Sequence, residues 1–259
     1  MANTYWHKQT ADKPLFPDLL WSRPETKKAR GKLLIIGGNS QGFMAPAQAY
    51  QEATTAGVGS TRVILPQQVQ KLLPKNFSEM EFASGTPSGS FGRQALAELL
   101  DAASLADGVL LAGDFGRNSE TAILLEQFIQ KYSGPLTLVQ DSIDYFLPNA
   151  QQLVSRPKTL IVPSFTQLQK FATASQFNQA FTSNMDFLHF IEALHEFSEK
   201  HQIAIITKHL DTDFVAVNGQ VSSTKPSSDN NEIVTAAHAS VWWLQAPNKP
   251  FEAITTSLI

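Results

Sequence analysis

The chain has 259 residues, 42% of them hydrophobic and 17% charged, enough for one large α/β domain or two small ones with a sizeable core. A net charge of -3 and a sequence pI near 6.1 leave no basic face for nucleic acid. The absence of cysteine excludes disulfides and thiolate chemistry, and no apolar run reads as a signal peptide or membrane span, so a soluble cytoplasmic protein with no membrane or nucleic-acid partner is expected.

Residues 1–30 are polar and broken by Pro14, Pro17 and Pro24, with Leu15, Phe16, Leu19, Leu20 and Trp21 interrupting the polarity. They read as an N-terminal arm that packs on the domain or on a neighbouring subunit. Apolar residues with no amphipathic period of their own need a covering surface, which predicts a homo-oligomer. Residues 31–259 read as one α/β domain.

That domain opens with an apolar strand over 32–36, closed by Gly37-Gly38. Asn39 or Ser40 is suited to cap the helix that follows, and Pro46 fits its first turn. Ala45, Ala49, Ala53 and Ala56 give that helix a small-residue face for close packing on a sheet. Gly57 and Gly59 end it, and 61–65 is the next strand. The Gly37-Gly38 turn is either a ligand-binding turn or a plain connection; in a βαβ unit, ligands collect past the carboxyl ends of the strands.

Short helices are predicted over 67–73 and 94–103, with a loop over 77–90 between them. A second apolar strand, 108–112, runs into Gly113-Asp114-Phe115-Gly116. Asn118 or Ser119 suits the N-cap of a helix over 120–132. Leu136–Val139 is a strand ending at Asp141, which either binds a ligand or caps the next turn. Further elements are a short helix over 147–153, a strand over 159–162, helices over 164–174 and 187–201, and a strand over 204–207. Then 214–217 and 220–223 flank Asn218-Gly219 as a two-residue hairpin, and a last helix runs from Glu232 to about Leu244. Strand–helix alternation at this spacing predicts a mainly parallel sheet covered on both faces.

The order of these motifs resembles the ADP/ATP-dependent NAD(P)H-hydrate dehydratases of the ribokinase-like superfamily, the repair enzymes for hydrated nicotinamide cofactors. The likeness runs from about Gly31 to Ala253. Its markers are Gly37-Gly38, Ala45-Pro46, Ala56-Gly57-Val58-Gly59, the turn Gly113–Gly116 with Arg117 and Glu120-Thr121, the strand ending in Asp141, and Lys208-His209 before a hairpin. The resemblance implies a ribokinase-like three-layer sandwich and use of ATP or ADP with Mg2+ on an NAD(P)H hydrate. It implies nucleotide or dinucleotide contacts at Gly37, Gly38, Asn39, Ala45, Pro46, Gly113, Gly116, Asp141, Lys208, Asn230 and Asn231, with Glu232 as the catalytic base.

The departures fall in the second half. Where the family has Gly-x-Gly-Asp at a helix N-terminus, this chain has Asp229-Asn230-Asn231-Glu232. An anion nest there would depend on Asn adopting positive φ. The family's Thr-Pro-His-Pro-Gly-Glu is replaced by Val162-Pro163-Ser164-Phe165-Thr166-Gln167, and Asp114 stands where the family has glycine. Three functions stay open: a working dehydratase, a non-catalytic relative that binds a nucleotide-like ligand or serves as an oligomeric subunit, and a small-molecule kinase of the same superfamily. Lys208 is a phosphate contact or a surface lysine, and Arg117 a phosphate contact or a partner of Glu120. Trp242 and Trp243 read as packing or subunit contact.

Overall fold

The computed structural model describes residues 4–72, 80–225 and 231–259. Its centre is a ten-stranded sheet. In chain order the strands are β1 (Trp6–Gln9), β2 (Lys32–Gly37), β3 (Ser60–Pro66), β4 (Met80–Ala83), β5 (Gly108–Gly113) and β6 (Leu136–Val139). They continue with β7 (Thr159–Val162), β8 (Ile203–His209), β9 (Thr212–Val217) and β10 (Gln220–Thr224). Across the sheet they lie in the order β1-β10-β9-β8-β7-β6-β5-β2-β3-β4. All neighbours run parallel except β8–β9 and β9–β10.

The helices are α1 (Pro17–Trp21), α2 (Met44–Thr55), α3 (Ala95–Ser104), α4 (Ser119–Lys131), α5 (Asp141–Asp144) and α6 (Ala150–Val154). After them come α7 (Phe165–Ala174), α8 (Phe187–Lys200), α9 (Glu232–Gln245) and α10 (Pro250–Thr256). Alternation along β2 sorts them into layers. Leu34 and Ile36 point to the face covered by Leu99, Leu124, Phe128, Phe171 and Phe190 of α3, α4, α7 and α8. Leu33 and Ile35 point to the face covered by Ala49 and Ala53 of α2, Ile233 and Ala237 of α9, and Ile254 of α10. The fold is therefore the expected α/β three-layer sandwich.

Two regions differ from expectation. Residues 80–83, read as loop, form the edge strand β4, and the chain after Gln245 continues into α10. The arm supplies a strand too: β1 pairs in parallel with β10, Trp6 opposite Val221. Its apolar residues find cover on the same chain, Phe16 against Phe251 and Trp6 against Phe187, so no second copy is required to cover them. Trp21 is the exception, 88% exposed. The predicted hairpin forms as read, with Asn218 at φ 48° and Gly219 at φ 78° making the tight turn between β9 and β10.

Candidate functional site

The two glycine turns meet at the carboxyl edge of the sheet. The register of β2 against β5 shifts between Ile36 and Gly37, and the Gly38 N–H donates to the Gly113 carbonyl at 2.9 Å. A Cβ on Gly37 would stand 2.6 Å from that carbonyl oxygen, so only glycine permits the approach. Gly113 in turn lies against Asp141, whose Oδ1 would be 3.3 Å from a Cβ added there. The Gly37-Gly38 turn, Gly113 and Asp141 thus share one corner of the molecule, as the sequence predicts.

Around that corner the side chains are tightly tied. Asn39 donates from Nδ2 to the Asp114 carbonyl at 2.6 Å and accepts from Gln41 N–H on Oδ1. It therefore does not cap α2, and neither does Ser40, whose hydroxyl donates to the Ser88 carbonyl. The N-cap residue of α2 is Phe43, which has no side-chain oxygen to offer. The cap comes from across the cleft: Asp114 Oδ2 accepts the Ala45 N–H at 2.8 Å. Ala45 and Pro46 are buried at the start of that helix. Gly116 donates its N–H to Asp141 Oδ2 at 3.1 Å and its carbonyl accepts the Tyr145 hydroxyl at 2.5 Å.

Asp141 is the most perturbed acid of the corner. Burial pushes its carboxyl up to about 6; backbone N–H bonds from Phe115 and Gly116 pull the other way, and the nearby Asp114 and Asp144 add to the rise. Its Oδ1 is buried without a hydrogen-bond partner. Gln140, just before it, holds φ 56° in a non-glycine residue.

Asp141 and Asp114 line a cleft of about 490 Å3 together with Gln140, Asp144, Gln167, Lys170 and Glu232. It adjoins a second hollow of about 660 Å3, where Gly116, Arg117, Tyr145 and Lys170 stand beside Asp141 and Asp144. Glu232 also faces a small cavity of about 70 Å3 with Ser164, Thr207, Lys208 and Asp213. The β8–β9 register sets Lys208 opposite Asp213. So Glu232 is brought together with Asp141 on one side and Lys208 on the other. No ion pair joins Arg117 to Glu120; Arg117 instead lines the outer cleft. A separate, mainly apolar hollow of about 380 Å3 is lined by Tyr50, Val63 and Met80, with no charged side chain among the described residues of its lining.

Asn230 and Asp229 lie outside the described residues. Asn231 is at φ -76° and caps α9, its Oδ1 accepting the Val234 N–H at 2.9 Å. The positive φ that a nest at Asn231 requires is not adopted, because the side chain itself satisfies the helix start. Glu232 is exposed in the first turn of α9. Ser164 and Gln167 form a capping box on α7, and Gln167 Nε2 also donates to the Gln140 carbonyl at 2.8 Å and to Asp144 at 3.1 Å. Asp144, Gln167 and Lys170 were not expected at the site. The Ser-x-x-Gln spacing signals the capping box, but nothing local shows that α7 abuts α5.

No family model matches the chain. Over 125 residues it is 30% identical to a bifunctional NAD(P)H-hydrate repair enzyme of Methanothermobacter thermautotrophicus. That match spans 47% of this chain and 24% of the relative, so the chain covers only about a quarter of that protein's length. Among solved structures, a ribokinase-like superfamily protein from Enterococcus faecalis superposes with TM-score 0.70 at 16% identity, over 99% of this chain and 86% of its own. An ADP/ATP-dependent NAD(P)H-hydrate dehydratase from Bacillus subtilis, co-crystallised with ATP and Mg2+, superposes with TM-score 0.63 at 11% identity, over 94% and 85%. The chain has the ribokinase-like fold. The resemblance read from its motifs to the NAD(P)H-hydrate dehydratases holds, as that of a divergent relative.

Proposed function

We propose that the protein is a divergent NAD(P)H-hydrate dehydratase-like enzyme that binds a nucleotide in the cleft at the carboxyl edge of β2, β5, β6 and β7 and turns over slowly. One observation carries this: Asp114, Asp141, Lys208 and Glu232, distant in sequence, line two hollows that share Ser164 and Glu232, in a fold shared with a dehydratase. The chemistry fits the residues present. Carboxylates and amides lining the cleft are the oxygen ligands that Mg2+ takes alongside phosphates, and Asp144 is the candidate to hold it. ATP or ADP with Mg2+ would supply the phosphoryl group and neutralise part of the cleft's negative charge.

In this reading Glu232, exposed in the first turn of α9, accepts the proton of the substrate hydroxyl. Lys208 offsets phosphate charge from the other side, and the glycine turns, by packing Gly37 against Gly113 and Gly113 against Asp141, hold Asp114 and Asp141 at the cleft. Turnover is slow because Asn231 spends its side chain on capping α9, leaving fewer free N–H donors for a developing oxyanion. Losing one such donor costs on the order of 10²–10³ in rate. The test is ATP- or ADP-dependent conversion of hydrated NADH to NADH, followed by absorbance. Slow turnover that Glu232→Gln abolishes is the expected result; turnover unchanged in Glu232→Gln would remove Glu232 from the mechanism. We further propose the cytoplasm as its location, where hydrated NAD(P)H would be met, and a homo-oligomer that uses Trp21.

A further inference from the structure

We infer that Asp114 is a specificity-determining residue: its carboxylate fills the anion position at the start of α2 and keeps a ligand phosphate out of that corner of the cleft. The inference rests on the reading of this cleft as the ligand site. Helix α2 starts without a side-chain cap of its own. Pro46 has no N–H, so the early donors of α2 are the Met44 and Ala45 N–H groups, and Ala45 gives its proton to Asp114 Oδ2 at 2.8 Å. The carboxylate is held on target. Asp114 takes φ 57°, its carbonyl accepts Asn39 Nδ2, and a Cβ built on Gly42 would lie 3.7 Å from its carboxyl carbon.

A negative group at a helix start receives the same attraction a phosphate would. Once it is there, a second anion meets like charge instead, and Asp141 and Asp144 in the same cleft reinforce the repulsion. Cationic side chains also line these hollows: Lys170 both of them, Arg117 the outer one, and Lys208 the small cavity beside Glu232. A phosphate-bearing ligand is therefore received with its phosphates turned away from Asp114, toward the cationic side chains Lys170, Arg117 and Lys208. It turns an uncharged hydroxyl-bearing part toward Asp114, whose carboxylate retains capacity to accept a hydroxyl proton.

The test uses inorganic pyrophosphate and ADP as probes, with adenosine as the uncharged control, on the full chain, Asp114→Gly and Asp114→Asn. At φ 57° glycine is well tolerated, and asparagine can keep the bond to Ala45 while removing the charge. Pyrophosphate titrated into the wild-type protein is expected to leave the Ala45 backbone amide resonance unmoved, and to shift it in Asp114→Gly. ADP affinity by calorimetry is expected to rise roughly tenfold in Asp114→Gly and roughly fivefold in Asp114→Asn, with adenosine unchanged. If Asp114→Gly fails to fold, the rise in Asp114→Asn decides alone. A wild-type Ala45 amide that moves with pyrophosphate, unchanged ADP affinity in the folded variants, or an equal gain for adenosine would overturn the inference. None of these readouts depends on dehydration of hydrated NADH, so failure of that activity is distinguishable from failure here.

Discussion

Asp141 shows how one side chain can couple the cleft to pH. Its folded value of about 6 lies above the ordinary carboxylate value near 3.9, so between those limits the folded protein holds a proton that the unfolded chain has released. The associated stability is fully present below about pH 4 and is lost as pH rises through about 6. Asp141→Asn can still accept the Gly116 N–H and no longer titrates. Its Tm relative to wild type should therefore rise between pH 4 and pH 7; a constant offset across that range would show that Asp141 does not titrate there. At this scale the sequence was partly legible. Gly37 and Gly113 could be read because close backbone approach leaves glycine as the residue that fits. The left-handed Asp114 and Gln140 could not, since positive φ in a side-chain-bearing residue writes no pattern into the chain. Asn231 was ambiguous for a related reason: an asparagine before a helix suits both a nest and an ordinary cap, and here its side chain caps α9.

Helices α2 and α9 send their N-terminal turns to the cleft and are held together along their length. Asn231 Nδ2 donates to Gln48 Oε1 at 3.3 Å near the cleft, and His238 Nδ1 meets Glu52 Oε1 at 2.8 Å further along. At the far end Arg23 of the arm donates to the Ala56 carbonyl and to Gln245 Oε1, with its guanidinium 4.4 Å from the Trp242 ring centre. The arm is therefore a strap across the C-terminal ends of both helices. Gly59 is its seat, because a Cβ there would overlap the Lys27 carbonyl oxygen. Gly59→Ala is expected to lift the strap at a cost of about 1–3 kcal/mol. The expected signs are a Tm lower by about 2–4 °C per kcal/mol and faster proteolysis within residues 23–30; an unaltered cleavage pattern would show that the strap is not seated this way. The strands of the parallel core were legible from apolar runs, even the four-residue β6 and β7, whereas β1 (WHKQ) and β4 (MEFA) mix polar and charged residues into four positions and show no apolar run to separate them from loop.

In the whole molecule, the parallel run from β4 to β8 sets the cleft at one edge of the sheet, and the β8–β9–β10 meander extends it toward the arm. That architecture was readable because strand and helix alternate with short connections, which leaves few topologies. The convergence of α5, α7 and α9 on one cleft was not, because it depends on contacts between segments far apart in the chain. Trp21, 88% exposed on α1, is the feature that favours association of copies. Small-angle scattering over a concentration series should give a mass above that of one 28.4 kDa chain, and Trp21→Glu should return it to that value. A single-chain mass at every concentration would exclude the oligomer.

The parallel pairing of β1 with β10 also imposes an order on biosynthesis. Trp6 donates from its indole to Ser223 Oγ, a partner 217 residues later in the chain. At roughly 5–20 residues per second, translation leaves the first strand without its neighbour for on the order of ten seconds or more after it has left the ribosome. During that interval β2, β3 and β5 can already assemble by local βαβ closure. β1 is thus among the last of these strands to dock, and the strap closes over the C-terminal ends of α2 and α9 after the walls of the cleft at their other ends are already standing.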